Sequence, residues 1–326
     1  MNRIDTRFAA LRHAGRAGLI PFVTAGDPSA EATVPVLHAL ELGGEAERAF
    51  NATEFFLIGA IEITLLAIFL GALEKWRPVE AQPHTEWKKT DAIYTMLNRL
   101  GFVPLLLFFL LMPAVDALDG ALRMHDIIPP NLEDAMPWLT SQPLLSFVFY
   151  LVLLDFVAYW LHRGQHQFGW WWSLHALHHS QREMSFWSDD RNHLLDDVLI
   201  DGVYALVALL IGVPPAQFIA LVVASRVVES LSHANVRMSF GRFGEYALVS
   251  PRFHRVHHAI GLGHEGRAQG CNFAVLFPIW DVLFGTANME KVFPATGVRD
   301  QLHGRDYGDT FWHQQWLGVR RLFGAR

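Results

Sequence analysis

Long apolar segments constrain the fold of this chain more than any other feature. Residues 52–73, 95–115 and 143–161 each supply about 20 mostly apolar residues, which is the length that a membrane-spanning helix needs. A fourth stretch, 197–232, carries Pro214 and Pro215 near its middle and favours a helical hairpin or two shorter spans. We therefore predict an all-α integral membrane fold with four to five transmembrane or hairpin helices. A large soluble helical core is the alternative, but its helices are usually shorter and more evenly interrupted by charge.

The overall composition agrees with a membrane protein and excludes other classes. Hydrophobic residues make up 52% of the 326 residues and charged residues only 18%. The net charge of -6 shows no basic excess, so nucleic acid is not expected as a partner. Cys271 is the single cysteine, which excludes an internal disulfide and a cysteine-based metal cage.

Loop charges predict the orientation in the membrane. Residues 74–100 contain five lysines and arginines, whereas residues 116–137 contain one arginine and five acidic residues. Because positive loops stay on the cytoplasmic side, we place 74–100 in the cytoplasm and 116–137 outside. The third segment then returns to the cytoplasm at His162. The histidine-rich region is thus expected on the cytoplasmic side of an integral membrane protein.

The first 44 residues have a different character. RIDTRFAALRHAGRAG has helical periodicity, LIPFVTAGDP favours a strand, and SAEATVPVLHALELGG favours a capped helix. This short α/β-like stretch resembles the amino terminus of the tryptophan synthase α subunit. The resemblance ends before the acidic catalytic residues of that family, and one strand cannot close a (β/α)₈ barrel. We predict a non-functional fragment at 1–50, a membrane domain at 51–290, and a tail with an amphipathic helix at 291–326.

Histidines are clustered in a pattern that packing does not explain. HALHH (175–179) and HRVHH (254–258) repeat the spacing His-x-x-His-His, and HRGQH (162–166) follows the third apolar segment. Residues three and four apart share a helix face, so each motif directs its imidazoles together. The third segment also aligns Asp155 and Tyr159 with these histidines, where they can orient imidazole rings. Isolated histidines such as His13, His125 and His303 are not expected to bind metal.

Ten clustered imidazoles exceed the needs of one metal ion. A zinc site takes at most four protein ligands, so two ions with four or five nitrogen ligands each fit better. Imidazole suits iron, copper, zinc and nickel, and ligand type alone does not choose among them. Two metals beside a membrane favour redox chemistry on a lipid, because paired irons can activate O₂ against a C–H bond.

Residues 143–286 resemble the fatty acid hydroxylase/sterol desaturase superfamily of membrane di-iron enzymes. The matching motifs are DFVAYWLHRGQH, LHALHHS, RNHLLD, SHAN, SPRFHRVHH and NFAVLFPIWDVLFGT. The resemblance implies ten metal ligands, namely His162, His166, His175, His178, His179, His193, His233, His254, His257 and His258. It also implies supporting roles for Asn272 and Asp281 in the closing element. One difference is the stretch AIGLGHEGRAQGC before Asn272, which is longer than in simpler members of the superfamily.

The resemblance implies an O₂-dependent oxidoreductase that hydroxylates or desaturates an alkyl carbon of a lipid. Its cofactors would be two iron ions, cycling between Fe²⁺ and Fe³⁺, with O₂ as co-substrate and no catalytic residues beyond the ligands. Electrons would come from an external donor of the ferredoxin or cytochrome/reductase type, since no haem or dinucleotide motif is present. A membrane zinc hydrolase is the alternative, although no histidine motif contains a carboxylate as general base.

Overall fold

A computed structural model describes residues 53, 55–81, 85–127, 135–211, 215–261 and 270–324. Its contacts divide the chain into Met1–Glu54 and Phe55–Arg326, and the second unit is the subject here. Regular secondary structure in the described residues is helical, which confirms the predicted all-α class. The predicted α/β-like fragment at 1–44 lies outside the described residues.

The helices are numbered in chain order. They are α1 (Phe55–Trp76), α2 (Thr85–Arg99), α3 (Phe102–Met124), α4 (Pro137–Thr140), α5 (Pro143–Gln167), α6 (Gly169–His179), α7 (Leu194–Ile211), α8 (Pro215–His233), α9 (Gly241–Ala247), α10 (Pro251–His257), α11 (Ile279–Leu283) and α12 (Phe311–Leu322). Short 3₁₀ helices occupy Phe186–Ser188 and Arg299–His303.

Three of the described helices, α1, α3 and α5, are long and apolar enough to cross a membrane. Large apolar side chains on all three are exposed, as expected for surfaces that face lipid rather than water. These side chains include Ile61, Leu65, Ile68, Phe69, Leu106, Phe108, Phe109, Leu110, Leu144 and Val148. The three helices therefore form an apolar exterior that agrees with the predicted integral membrane protein.

The second span differs from the prediction in its position. The apolar pattern predicted a helix over 95–115, but α2 ends at Arg99 and α3 begins at Phe102. Gly101 separates them with a φ of 90°, a left-handed conformation that glycine adopts at little cost. The apolar segment thus starts later and reaches Met124, because residues 95–99 belong to a separate helix.

The apolar stretch 197–232 forms two helices, as the prolines predicted. Helix α7 has 18 residues and α8 has 19, and residues 212–214 between them lie outside the described residues. Neither is among the three described candidate spans. Helix α7 is strongly apolar, but Asp196, Asp197 and Asp201 place three charges near its start, and these charges separate it from the candidate spans.

The C-terminal helix packs on the histidine-rich region instead of lying free on the membrane surface. Helix α12 contacts α6 and α2, and Phe311 packs against Tyr94 with ring centroids 4.7 Å apart. Gln315 is buried and donates through its side-chain amide to the Tyr94 hydroxyl over 3.0 Å. The predicted amphipathic helix therefore packs on the rest of the described chain through one face.

A buried arginine joins the first span to the loop before α7. The Arg99 guanidinium is 1% exposed and lies 2.6 Å from Glu62 of α1, 2.7 Å from Asp189 and 2.7 Å from Asp190. It also donates to Ser230 of α8 over 2.7 Å. One cation therefore connects α1, α2, α8 and the loop at 186–190. Removing one partner of a buried ion pair typically costs about 3–5 kcal/mol, because the remaining charges stay buried.

We expect Arg99→Met to lower the free energy of unfolding by about 3–5 kcal/mol, because three carboxylates lose their cation. Denaturation of the detergent-solubilised protein would measure the change. Arg123→Met is the matched control, since its ion pair with Asp119 on α3 is largely exposed and exposed pairs contribute little. Equal losses in both variants would contradict a special role for Arg99.

Candidate metal centre

Nine of the ten histidines predicted as ligands converge into two groups. The five-histidine group consists of His162, His166, His175, His179 and His257, and the four-histidine group consists of His178, His233, His254 and His258. Within each group one nitrogen from every ring lies within 4.8 Å of all the others. All nine side chains are buried. The ends of α5, α6, α8 and α10 bring them together.

Hydrogen bonds from one ring nitrogen orient several rings of the five-histidine group. His162 donates from Nδ1 to the carbonyl oxygen of Phe273 over 2.8 Å, and His257 donates from Nδ1 to that of Cys271 over 2.7 Å. These bonds assign the proton to Nδ1 and leave Nε2 as a lone-pair donor. The Nε2 atoms of His257 and His179 face each other at 3.1 Å. The group therefore directs unprotonated nitrogens toward a common centre.

In the four-histidine group the ring nitrogens also face one another at short distances. His233 donates from Nδ1 to the carbonyl oxygen of Glu229, one turn earlier, over 2.8 Å. Its Nε2 lies 3.1 Å from Nε2 of His178 and 2.9 Å from Nε2 of His254. His254 in turn lies 3.0 Å from Nε2 of His258. Spacings of about 3 Å are those of neighbouring nitrogens that share one ion at about 2.1 Å.

The two groups lie side by side, and both repeated motifs contribute to each. His175 and His179 of the first motif join the five-histidine group, while His178 joins the other. The second motif has the opposite assignment, with His254 and His258 in the four-histidine group and His257 in the five-histidine group. The His179 and His258 rings stack across the boundary with centroids 4.3 Å apart.

A metal ion is the partner that this arrangement fits. Burial, and then repulsion from neighbouring imidazoles, lowers the pKa of His178, His179, His254 and His258 well below the usual value. Neutral imidazoles present lone pairs, and lone pairs that face one another without a cation repel. Nε2 of His162 and His175 is buried without a hydrogen-bond partner among the described residues. Such nitrogens are costly unless they bind a cation.

A carboxylate that the sequence did not single out supports His175. Asp196 lies 3.2 Å from His175 Nδ1 and also accepts from Trp171 Nε1 over 2.6 Å and from Gln165 Nε2 over 2.9 Å. A carboxylate hydrogen-bonded to the far nitrogen orients a ligating imidazole and raises its basicity. Asp189 has a similar relation to His233, with 3.2 Å between its Oδ1 and the ring Nδ1.

The predicted supporting residues act through the backbone instead of on the imidazoles. Asp155 accepts from the backbone N–H groups of Leu276 and Phe277 and from Trp280 Nε1. Asp281 accepts from the backbone N–H groups of Phe273 and Ala274, both over 2.8 Å. These two carboxylates fix the segment whose carbonyl oxygens at 271 and 273 orient His257 and His162.

Asn272 and Tyr159 complete this support. Asn272 has a positive φ of 57° and donates through its side-chain amide to the carbonyl oxygens of Phe253 and Asn288, both over 3.0 Å. The Tyr159 hydroxyl lies 3.0 Å from Thr286 Oγ1, and Thr286 donates to Asp281 over 2.6 Å. Both residues therefore hold 271–286 in place and do not contact the ligand nitrogens directly.

His193 is the predicted ligand that the structure places elsewhere. Its Nε2 donates to the carbonyl oxygen of Gln315 over 2.8 Å, and its Nδ1 accepts from the backbone N–H of Leu195 over 3.1 Å. Both nitrogens are therefore engaged, and His193 belongs to neither histidine group. Its ring lies against Gly318 of α12, where an added Cβ would be 2.2 Å from His193 Cδ2. In the structure this histidine therefore joins the start of α7 to the C-terminal helix.

The three consecutive tryptophans at 170–172 differ in their surroundings. Trp170 is 51% exposed, whereas Trp171 bonds Asp196. Trp172 packs against His166 and His179, with ring centroids 5.0 and 5.2 Å apart. His264 and most of the long stretch before Asn272 lie outside the described residues.

Comparison with known proteins agrees with this geometry. Residues 147–286 match the profile of the family described as Fatty acid hydroxylase. The predicted superfamily resemblance is thereby confirmed, and the matched region contains every histidine of both groups.

The relatives include lipid-modifying enzymes and an unrelated biosynthetic enzyme. An alkylglycerol monooxygenase from Caenorhabditis elegans is 29% identical over 159 residues, which cover 48% of this chain and 29% of that protein. An ornithine lipid hydroxylase from Rhizobium tropici is 31% identical over 136 residues, or 42% of this chain and 40% of that protein. The chain thus spans less than half the length of either relative. No solved structure matches.

The amino-terminal resemblance is also confirmed. The tryptophan synthase alpha chain of Xanthomonas oryzae pv. oryzae is 70% identical over 44 residues. These residues cover 14% of this chain but only 16% of that protein. The shared stretch is therefore a small part of the synthase.

We expect the purified protein to bind two metal ions per chain, and His258→Ala to lose the ion of the four-histidine group. His193→Ala is the matched control and should keep both ions, because His193 belongs to neither group. Metal analysis of iron-loaded protein would measure both stoichiometries. Loss of metal in His193→Ala, with α12 still docked, would contradict the assignment.

Proposed function

We propose that this protein is a membrane-bound di-iron oxygenase that hydroxylates an alkyl carbon of a lipid. The observation that supports this most is the pair of adjacent, buried histidine groups at the end of a candidate membrane span. Its proposed ligands are the nine histidines of the two groups. The lipid hydroxylases among its relatives support a lipid substrate, and desaturation would use the same machinery.

A bound pair of iron ions would supply O₂ activation and electron transfer for cleavage of a C–H bond. The chain's own contribution begins with ligand geometry. The carbonyl oxygens of Cys271 and Phe273 and the carboxylate of Asp196 fix the ring orientations before metal binding. The burial of all nine rings excludes bulk water from the site. The exposed apolar surfaces of α1, α3 and α5 place a lipid tail within the same membrane layer.

Hydroxylation consumes one O₂, two electrons and two protons and releases one water, so an external donor must provide the electrons. We propose a ferredoxin or cytochrome/reductase type of donor at the cytoplasmic face, where the loop charges lead us to expect the histidines. Neither histidine group contains a carboxylate among the described residues. A zinc hydrolase would need such a group, or a substitute, as general base. This absence favours the oxygenase over the hydrolase.

We expect iron-loaded protein in lipid vesicles, supplied with a chemical reductant and ¹⁸O₂, to form a lipid product with one ¹⁸O atom. Mass spectrometry of extracted sterols, fatty acyl lipids and ether lipids would detect it. A desaturated product would instead be lighter by two hydrogens and carry no label. His257→Ala is the inactive control. Incorporation of oxygen from labelled water under anaerobic conditions would favour the hydrolase and refute the proposal.

Residues 1–44 are proposed to be dispensable. Only a small part of a tryptophan synthase α chain is present there, and one strand cannot form the barrel that this enzyme needs. Deletion of 1–44 should therefore leave metal content and lipid oxidation within about twofold of the full chain. A loss of folded protein in the membrane fraction would show that this stretch has a structural role.

A further inference from the structure

A cavity of ≈ 390 Å³ lies beside the end of the first candidate span, outside both histidine groups. Volumes of roughly 300–1,000 Å³ are typical of sites for small ligands. One part of its wall is apolar and the other is polar. The apolar part consists of Ala67, Gly71, Phe186 and Trp187, and the polar part includes Glu74, Lys75, Glu80, Lys88 and Asn235.

The two carboxylates of the cavity are engaged by the protein itself. Glu80 lies 2.8 Å from Arg255 in an ion pair. Oε1 of Glu74 accepts from the backbone N–H groups of Phe186 and Asn235 over 2.9 and 3.0 Å. Their charges therefore stabilise the loop at 78–81 and the residues that follow His233.

Neither lysine forms a close ion pair with a described carboxylate, although the charge of Lys88 acts on the Glu74 carboxylate of the same cavity. No described carboxylate lies within 4.0 Å of the ammonium group of Lys75 or Lys88. The lysines come from different helices, α1 and α2, and both line the cavity. Two ammonium groups on one small cavity are suited to an anion with several acceptor oxygens.

The position of the cavity indicates what kind of anion fits. Lys75 lies in the last turn of α1, at the end of a candidate membrane span, while Ala67 and Gly71 continue the wall along that span. Asn235, which also lines the cavity, follows the proposed ligand His233 by two residues. A polar end and an apolar end in this order match the junction between a lipid headgroup and its chains.

From these contacts we infer that the cavity binds the phosphate-bearing headgroup of an anionic lipid and thereby selects the substrate. The substrate class, though not the binding itself, rests on the proposed function. Lys75 and Lys88 donate to the phosphate oxygens, and the first carbons of the lipid lie against Gly71 and Phe186. The headgroup is held beside the four-histidine group. Sterols and free hydrocarbons lack the group that these lysines recognise.

Calorimetric titration of the detergent-solubilised full chain with dihexanoyl phosphatidic acid tests the inference. The phosphatidylcholine with the same acyl chains and inorganic phosphate are the comparison ligands. We expect phosphatidic acid to bind at least about tenfold more tightly than either, because charge-assisted hydrogen bonds and apolar contact are both required. Equal affinity for phosphatidylcholine, or for phosphate alone, would overturn the lipid headgroup assignment.

Two independent variants test the location. Lys75→Gln with Lys88→Gln should weaken phosphatidic acid binding at least about tenfold, whereas Lys89→Gln, which does not line the cavity, should not. Gly71→Phe should block binding by volume, since a Cβ at Gly71 meets only Phe186 Cε1, at 4.0 Å, and larger atoms extend into the cavity. Retention of two metals shows that a variant is folded. Unchanged affinity in both folded variants would refute the site.

The outcome for the cavity is separable from the outcome for the proposed function. Binding is measured without O₂ or electrons, so tight binding with no oxidised product would refute the oxygenase and leave the site in place. Oxidation of neutral and anionic lipids at equal rates would support the oxygenase and refute the selection of substrate by headgroup.

Discussion

The burial of nine neutral imidazoles at one place is the constraint on which the rest of this structure depends. An imidazole buried without a partner for its lone pair is destabilising, and rings that face one another by their lone pairs add repulsion. Protonation would relieve the lone pairs but would bury positive charges side by side, which the lowered pKa values of His178 and His257 reflect. Two cations at the centres of the groups would remove both costs, so metal binding is expected to stabilise the fold.

Helical geometry explains why His-x-x-His-His occurs twice. Residues four apart lie nearly above one another, whereas a residue three positions on is displaced to the side of that stripe. The outer pair of each motif, such as His175 and His179, therefore shares one group, and the middle histidine reaches the other. The outer pair on α6 belongs to the five-histidine group, and the outer pair at α10 belongs to the four-histidine group. Each motif therefore contributes histidines to both groups. A displacement of either helix would therefore disturb both groups, whereas a single histidine substitution removes a nitrogen from only one.

The sequence predicted the helical class, the apolar spans and nine histidines that converge in the structure, because period and spacing are local properties. It could not assign ligands to groups, since that depends on how α6 and α10 face each other. It placed His193 among the ligands because a motif does not show whether both ring nitrogens are already bonded. The carbonyl oxygens of Cys271 and Phe273 were missed for a similar reason. Every residue has a carbonyl, and only the folded backbone shows which ones face an imidazole.

Asp155 supports the histidines in a different way from the one that its position on α5 predicted. Its alignment with His162 on α5 indicated a direct contact with the ligands, yet its carboxylate binds the backbone at 276 and 277. Asp155 and Asp281 fix the backbone segment that in turn orients the His162 and His257 rings, so their support of the rings is indirect. Arg99 supports the four-histidine group in a similarly indirect way, because it forms an ion pair with Asp189, and the Asp189 carboxylate lies near His233.

Helix α1 connects the membrane to both the metal centre and the lysine-lined cavity. Glu62 pairs with Arg99, one turn or more before Ala67, Gly71 and Lys75 contribute to the cavity. From Arg99 the contacts continue through Asp189 to His233, and the cavity wall reaches Asn235 two residues further on. A shift of α1 along its axis would therefore move Lys75 and strain the Glu62–Arg99 ion pair at the same time. The buried charges resist that shift, so the headgroup cavity keeps a fixed distance from the four-histidine group.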